Sequence, residues 1–173
     1  MRQTIDYLAI STIAAVCLTS TAAPAADAQI ARGAYLAQLA GCGHCRTPGY
    51  LLGKADESRQ FGGSDVGFEV PGLGTFVGPN LTPDKDTGLG NWSPEQIVTA
   101  IRTGVIPDGR VLAPIMPWRS FAKLTHADAT AIAFYLKSLP AVKHKVPGPF
   151  GPSQQATTFV MKVVPPAAPA VGN

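Results

Sequence analysis

Cysteine and histidine are scarce in this chain of 173 residues. Each occurs three times, at Cys17, Cys42 and Cys45 and at His44, His126 and His144. The last two histidines lack the paired spacing that would complete a zinc site with two cysteines, so a structural zinc domain is the weakest option. The sequence also contains no second Cys-x-x-Cys and no internal repeat.

Charged residues make up only 14% of the chain and aromatic residues only 8%. The basic residues are scattered and are not interleaved with aromatic side chains, which argues against nucleic acid as a partner. A slight basic excess lies toward the C-terminal end, at Lys137, Lys143 and Lys145. It could steer an acidic partner protein, although a solvated helix end explains the same residues.

The apolar run at residues 8–18 is too short to span a bilayer. With Arg2 before it and Ala-Asp-Ala at residues 26–28 behind it, the run is typical of a secretory signal. We predict that residues 1–28 are a signal peptide and that the mature chain is periplasmic. A cut at Ala23 and an uncleaved anchor are the alternatives. Cys17 leaves with the signal, so Cys42 and Cys45 remain as a pair in an oxidising compartment.

A short helix is predicted over residues 30–40, directly before the two cysteines. Tyr35, Leu36 and Leu39 fall at helical spacing and are expected to form its buried face, with alanines at the positions of close contact. Gly41 stands where this helix is expected to end.

Two further helices have clear start and stop signals. Ser93 with Gln96 forms a capping-box pattern, and Gly104 is placed to end that helix. Thr125 begins the other helix and Pro140 stops it. The predicted buried positions are Ile97, Val98 and Ile101 in the first and Ile132, Tyr135, Leu136 and Leu139 in the second.

Regular structure is hard to find between residues 47 and 91, where Gly and Pro supply 14 of 45 residues. A loop of this length counts against a compact domain unless the chain wraps around a cofactor that supplies the core. The segment therefore predicts a large apolar ligand. A disordered linker is the alternative, and the single aromatics Phe61, Phe68 and Phe76 argue against it.

The hexapeptide at residues 41–46, Gly-Cys-Gly-His-Cys-Arg, has the pattern on which the remaining interpretation depends. A Cys-x-x-Cys pair serves covalent haem attachment, dithiol redox chemistry or half of a metal site. Cys-Gly-His-Cys also occurs in thiol–disulfide oxidoreductases, where a His between the cysteines lowers a thiol pKa. No strand leads into the motif and no βαβ pattern surrounds it, so this function is kept only as an alternative.

Four stretches, taken in order, resemble a class I c-type cytochrome, and most closely the cytochrome c domains of bacterial periplasmic dehydrogenases. They are RGAYLAQLAGCGHC, GPNLTPDKDTGLGNWS, IRTGVIPDGRVLAPIMPW and AIAFYLKSLP, and they cover residues 31–140. The resemblance implies a small all-α fold of three to four short helices, with long Gly/Pro-rich loops wrapped around a haem. The predicted domain covers residues 29–140, followed by a Pro-rich extension at 141–173 whose end, from residue 165, is expected to be disordered.

The resemblance also implies roles for individual residues. Cys42 and Cys45 match the cysteines that attach one haem c covalently, and Met116 matches the distal axial iron ligand. A thioether on a proline-stiffened loop suits haem iron. Asn80 and Thr82 match a segment that packs near the haem edge, although a plain turn explains them equally well.

Arg46 departs from this pattern, because the family has a His ligand directly after the second cysteine. A guanidinium is permanently charged and has no free lone pair to donate to iron. Neither His44, His126 nor His144 has local geometry aimed at a haem, so none is expected to replace the missing ligand. Arg46 is therefore expected to alter haem ligation and to impair covalent attachment.

The function implied is that of a single-electron carrier in a periplasmic respiratory chain, and not of an enzyme. Its partners would be a periplasmic dehydrogenase and a terminal oxidase or another cytochrome, with membrane association only through a partner or an uncleaved signal. A haem-free, cytochrome-like binding subunit is the further alternative, which Arg46 favours.

Overall fold

A computed structural model describes residues 22–164 of the chain. It has four α-helices, α1 (Ala22–Leu39), α2 (Pro94–Thr103), α3 (Trp118–Phe121) and α4 (His126–Ser138), and three strands, β1 (Val66–Val70), β2 (Gly74–Val77) and β3 (Phe159–Met161). Short 3₁₀ turns occupy the loops between α1 and β1. Most of the predicted signal run and the predicted disordered end lie outside the described residues. In the described part, no helix combines the length and apolar character that crossing a bilayer requires.

Helices α1 and α4 pack against each other through small residues. Ala37 and Ala133 are fully buried between them. A Cβ atom on Gly33 would collide with the backbone carbonyl of Ala131 and with the side chain of Tyr135. The backbones can approach this closely only because Gly and Ala fill the contact, and apolar side chains then pack around it. This crossing forms the centre of the core, which continues through Leu36, Phe61, Leu89, Ile97, Val98, Ala129, Ile132 and Leu136.

The predicted buried face of α1 is only partly right. Leu36 is buried, but Tyr35 is 58% exposed and Leu39 is 71% exposed. The face turned toward α4 is the one that carries Gly33 and Ala37, because a close crossing selects small side chains rather than large apolar ones. The helix is also longer than predicted, since it begins at Ala22 and runs through the predicted cleavage position.

The predicted ends of α2 and α4 agree with the structure. Ser93 accepts a hydrogen bond from the backbone N–H of Gln96, and the Gln96 side chain accepts one from the backbone of Ser93. Gly104 ends α2 with φ +74, a backbone conformation that favours glycine, and a Cβ there would press on the Trp118 ring. Thr125 caps α4. The capped helices hold the buried Ile97, Val98, Ile132 and Leu136 against the core.

A small three-stranded sheet, in the order β2-β1-β3, is present where no strand was predicted. Strand β1 pairs antiparallel with β2 and parallel with β3. The β1–β2 hairpin turns at Gly72, which has φ +78. The strands were missed because each is short and β3 comes about ninety residues after β1 in the chain. The Pro-rich extension is therefore joined to the domain by backbone pairing up to Met161.

The long Gly/Pro-rich segment is held to the rest of the chain by a buried polar network around Asn80. Its side-chain N–H₂ donates to the carbonyl of Val142 at 2.7 Å and to the Thr87 hydroxyl at 3.1 Å. Its side-chain oxygen accepts from both the backbone and the hydroxyl of Thr82. A separate clamp comes from Lys137, whose ammonium donates to three carbonyls ahead of α2. The ammonium of Lys137 is therefore held by backbone carbonyls, so it is not available to attract an acidic partner as Lys143 and Lys145 could.

We predict that Asn80→Ala lowers the free energy of unfolding by about 2–3 kcal/mol, because it leaves several buried groups without hydrogen bonds. Asn80 is only 2% exposed, so water cannot replace its side chain. Urea unfolding followed by circular dichroism measures the change. The matched control is Asn91→Ala, at an exposed residue with one hydrogen bond to Lys85, which should cost less than about 1 kcal/mol. Equal losses in the two variants would contradict the assigned role of Asn80.

Candidate functional site

The two cysteines lie on a tight turn directly after α1. Gly41 adopts φ +66 and the backbone N–H of Cys42 donates to the carbonyl of Ala37 at 3.0 Å, which ends the helix and turns the chain. The following 3₁₀ turn spans His44–Arg46. Cys42 and Cys45 are both half-buried free thiols. The turn thus brings two thiols to one edge of the core without joining them.

Next to this turn lies a strongly apolar cavity of about 90 Å³, which adjoins a more open cleft of about 420 Å³. A cleft of this size is in the range of roughly 300–1,000 Å³ that small-molecule and cofactor sites occupy. The residues that line both spaces are Ala40, Cys42, Arg46, Pro79, Leu112, Met116 and Phe121. Cys45 lines the open cleft only.

Met116 is fixed on the wall shared by the cavity and the cleft. Its backbone N–H donates to the carbonyl of Ala113, and its own carbonyl accepts from the N–H of Trp118 at the start of α3. The loop therefore holds the thioether inside the site rather than in solvent. The sequence placed Cys42, Cys45 and Met116 in one site by resemblance, and the fold brings all three to this cleft.

Arg46 also points into the site, where its Nη2 donates to the Met116 sulfur at 2.9 Å. Its Nε is buried and has no hydrogen-bond partner. Burial lowers the pKa of the guanidinium, and negative charge on Cys42 or Cys45 would raise it again. A guanidinium nevertheless keeps its proton near neutral pH. The site therefore contains a positive charge among apolar side chains.

None of the three histidines reaches the cavity or the cleft. The ring of His44 is exposed and stacks on Tyr50, with centroids 4.4 Å apart. The Nδ1 atom of His144 is 2.7 Å from the carbonyl of Gly62. His126 is exposed at the start of α4, in a separate surface depression beside Glu95.

The thiol of Cys42 is poorly suited to disulfide exchange. Burial raises the pKa of Cys42, although the nearby charge of Arg46 opposes this shift. A thiol that attacks disulfides at neutral pH needs a lowered pKa. His44, which was expected to lower it under the alternative reading, is stacked away on Tyr50. This geometry argues against the dithiol oxidoreductase.

The residues present fit a covalently held porphyrin in most respects. Attachment needs two thiols at the edge of an apolar space, and Cys42 and Cys45 lie there. Iron needs a donor such as a thioether, and that of Met116 lines the same space. The fit fails at the position after the second cysteine, because Arg46 has no free lone pair to donate to iron and no histidine lines the cavity or the cleft. The described residues also contain no cluster of His, Cys, Asp or Glu that could hold a separate metal ion.

Part of the site lay outside the sequence-based prediction. Arg110 and residues 146–149 line the cleft, and so do Phe68 and Phe76 from β1 and β2. The aromatics were noted only as isolated hydrophobic residues. The sequence gives only a weak indication of residues 146–149, since a Pro-rich segment lacks the hydrophobic periodicity that identifies a buried face.

The raised pKa of Cys42 gives a direct prediction. In Cys45→Ser, the pH profile for alkylation of Cys42 by iodoacetamide should have its midpoint above that of the same variant unfolded in urea. The folded environment disfavours the thiolate, and unfolding restores the ordinary pKa. Mass spectrometry of quenched samples measures the rate at each pH. A folded midpoint at or below the unfolded one would contradict the burial of this thiol.

Comparison with known proteins gives consistent relatives. The chain is 32% identical over 166 residues to the fructose dehydrogenase cytochrome subunit of Gluconobacter japonicus, covering 92% of this chain and 32% of that protein. It is 34% identical over 125 residues to the cytochrome c subunit of a quinone alcohol dehydrogenase of Gluconobacter oxydans, covering 70% and 24%. It is 38% identical over 117 residues to a diheme cytochrome c-type protein of Cereibacter sphaeroides, covering 65% and 36%.

The chain spans about a third or less of the length of these relatives. No protein-family model matches the chain. The relatives support a cytochrome c domain, and the mostly helical fold agrees with the predicted small class I cytochrome c fold. Two of them are named as cytochrome subunits of dehydrogenases, which agrees with the expectation that this chain is not itself an enzyme.

Proposed function

We propose that this chain is a c-type cytochrome domain that carries single electrons, with haem ligation altered by Arg46. The observation that supports this most is the convergence of Cys42, Cys45 and Met116 on one apolar cleft. The Cys pair follows α1, whereas Met116 comes seventy residues after Arg46. No local feature of the chain requires these groups to meet, so their convergence points to a shared ligand.

Each group has a distinct task in this proposal. Cys42 and Cys45 would hold one haem c through thioether bonds, and Met116 would supply a soft axial donor. Leu89, Ile97 and the other apolar residues of the cavity keep water away from the ligand. The bound haem would supply reversible one-electron chemistry at its iron.

Arg46 is the residue that sets this domain apart. It would leave Met116 as the residue of the site that could donate to iron, and it contacts the Met116 sulfur itself. Axial ligands control both the reduction potential and the access of small molecules to iron. We therefore expect a potential unlike that of a His/Met cytochrome and readier binding of small ligands.

The partner and the location follow from the relatives and from the sequence. Relatives named as cytochrome subunits of dehydrogenases support a dehydrogenase as the electron donor. A terminal oxidase or another cytochrome would accept the electron. The signal-like run at residues 1–28 supports export to the periplasm, with membrane association only through a partner or an uncleaved signal.

The second candidate is a haem-free, cytochrome-like binding subunit. The contact between the Arg46 guanidinium and the Met116 sulfur favours it, because these two side chains already meet across the site. In that case the fold would remain as a scaffold and the thiols would stay free. The colour of the purified protein distinguishes the two candidates.

We predict that Arg46→His gives a red protein with a low-spin spectrum when the chain is exported together with haem-attachment machinery. The substitution supplies the neutral imidazole nitrogen that iron needs beside Cys45. The wild-type chain should carry less haem, with a spectrum unlike that of a His/Met cytochrome. Absorption spectra of the oxidised and reduced proteins measure both.

The control is Arg59→His, which adds a histidine at a partly exposed residue that pairs with Asp56 away from the cleft. It should behave like the wild-type chain. If Arg46→His stayed colourless in cells that mature another c-type cytochrome, the cytochrome proposal would fail. Ordinary low-spin His/Met bands from the wild-type chain would overturn altered ligation.

A further inference from the structure

The positive charge of Arg46 has no counter-ion in the described part of the chain. The ion pairs found there join other residues, and no carboxylate lies within 4.0 Å of the Arg46 guanidinium. Its Nε finds no acceptor and its Nη2 donates only to a thioether, which is a weak acceptor. A guanidinium that is largely withdrawn from water and has no charged partner is unfavourable. The guanidinium therefore has unused capacity to bind an anion.

The walls of the site match that requirement. No acidic side chain is among the described residues that line the cavity or the cleft. Arg110 also lines the cleft, and its ion-pair partner Asp108 is 4.0 Å from its Nε and largely exposed. Both charges in the site are thus positive. An anion that enters meets attraction from the walls and no repulsion.

The rest of the site is apolar, so a small inorganic anion would leave most of it unfilled. Trp92, Leu124, Ile132 and Leu136 line the inner cavity, and Phe68 and Phe76 line the cleft. Contact with these side chains favours an apolar body attached to the anion. Arg46 lines both spaces, so an anionic group bound to it would have apolar side chains on either side for the rest of the ligand.

We propose that Arg46 makes this cleft a binding site for an amphipathic carboxylate. The carboxylate accepts hydrogen bonds from guanidinium N–H groups of Arg46 that have no acceptor in the described part of the chain, and the apolar body lies along the cavity and cleft. A guanidinium pairs with a carboxylate through two parallel hydrogen bonds. The ligand is either a free apolar carboxylic acid or a haem through one of its propionates. The propionate source rests on the proposed binding of haem, whereas a free acid would occupy the cleft of the chain without haem.

The first test uses octanoate and 1-octanol, which share an apolar chain and differ in charge. Isothermal titration of the full chain, made without haem-attachment machinery so that Cys42 and Cys45 stay free, measures each affinity. The change in tryptophan fluorescence, to which Trp92 on the cavity wall contributes together with Trp118, provides an independent readout. Octanoate should bind roughly ten- to one-hundred-fold more tightly than 1-octanol, as expected for a charge-assisted hydrogen-bonded pair.

Variants assign the effect to Arg46. Arg46→Gln should abolish the preference for octanoate, and Arg46→Lys should keep part of it, because a lysine retains the charge but not the planar pair of donors. Arg102→Gln is the matched control, since Arg102 lies on α2 outside the cleft and should leave the preference unchanged. A preference that survives in Arg46→Gln would overturn the proposal.

A second pair of ligands distinguishes the source of the carboxylate. Haemin carries two free propionates and haemin dimethyl ester carries none, so their affinities for the same protein report on the propionate alone. Preference for haemin over its ester without preference for octanoate assigns Arg46 to a propionate. Preference for octanoate assigns it to a free acid. Equal binding within both pairs would refute the site, whereas the cytochrome proposal is judged separately by the spectra above.

Discussion

The close crossing of α1 and α4 is the constraint on which the rest of this structure depends. It requires Gly33 and buried alanines at the contact, because larger side chains would push the two backbones apart. The crossing fixes how α1 lies against α4, and Gly41 ends the helix, so the two together place Cys42 and Cys45. It also sets one wall of the apolar cavity, through Ile132 and Leu136 of α4. Gly33 and Ala37, which line neither the cavity nor the cleft, thus influence the shape of the site through the crossing.

Arg46 gives this site two properties that are usually found apart. The apolar lining is that of a cofactor site, yet a guanidinium without a carboxylate partner lies within it. A buried charge is tolerated only when some group compensates for it. The Met116 sulfur does so weakly. Arg46 therefore affects the ligation of iron, the stability of the chain without haem and the choice of ligands that the cleft accepts.

Much of the fold was readable from local signals. Ser93, Gln96, Gly104 and Thr125 are where capping chemistry predicts them, because a helix end leaves backbone groups that only nearby side chains can satisfy. The buried face of α1 was misjudged, since hydrophobic spacing favours Tyr35 and Leu39 whereas the packed face is the one with small residues. The sheet was missed because β1 and β3 are joined by pairing across most of the domain.

The sequence by itself determined the helix ends, the Cys-x-x-Cys turn, the absence of His at position 46 and the resemblance to c-type cytochromes. Each of these depends on residues near one another in the chain. Only the tertiary structure decided that Arg46 contacts Met116, that Asn80 holds the C-terminal extension, and that residues 146–149 complete the cleft. Those contacts join segments about sixty residues apart or more. Local spacing contains no information about such contacts, because they follow from how the whole chain packs.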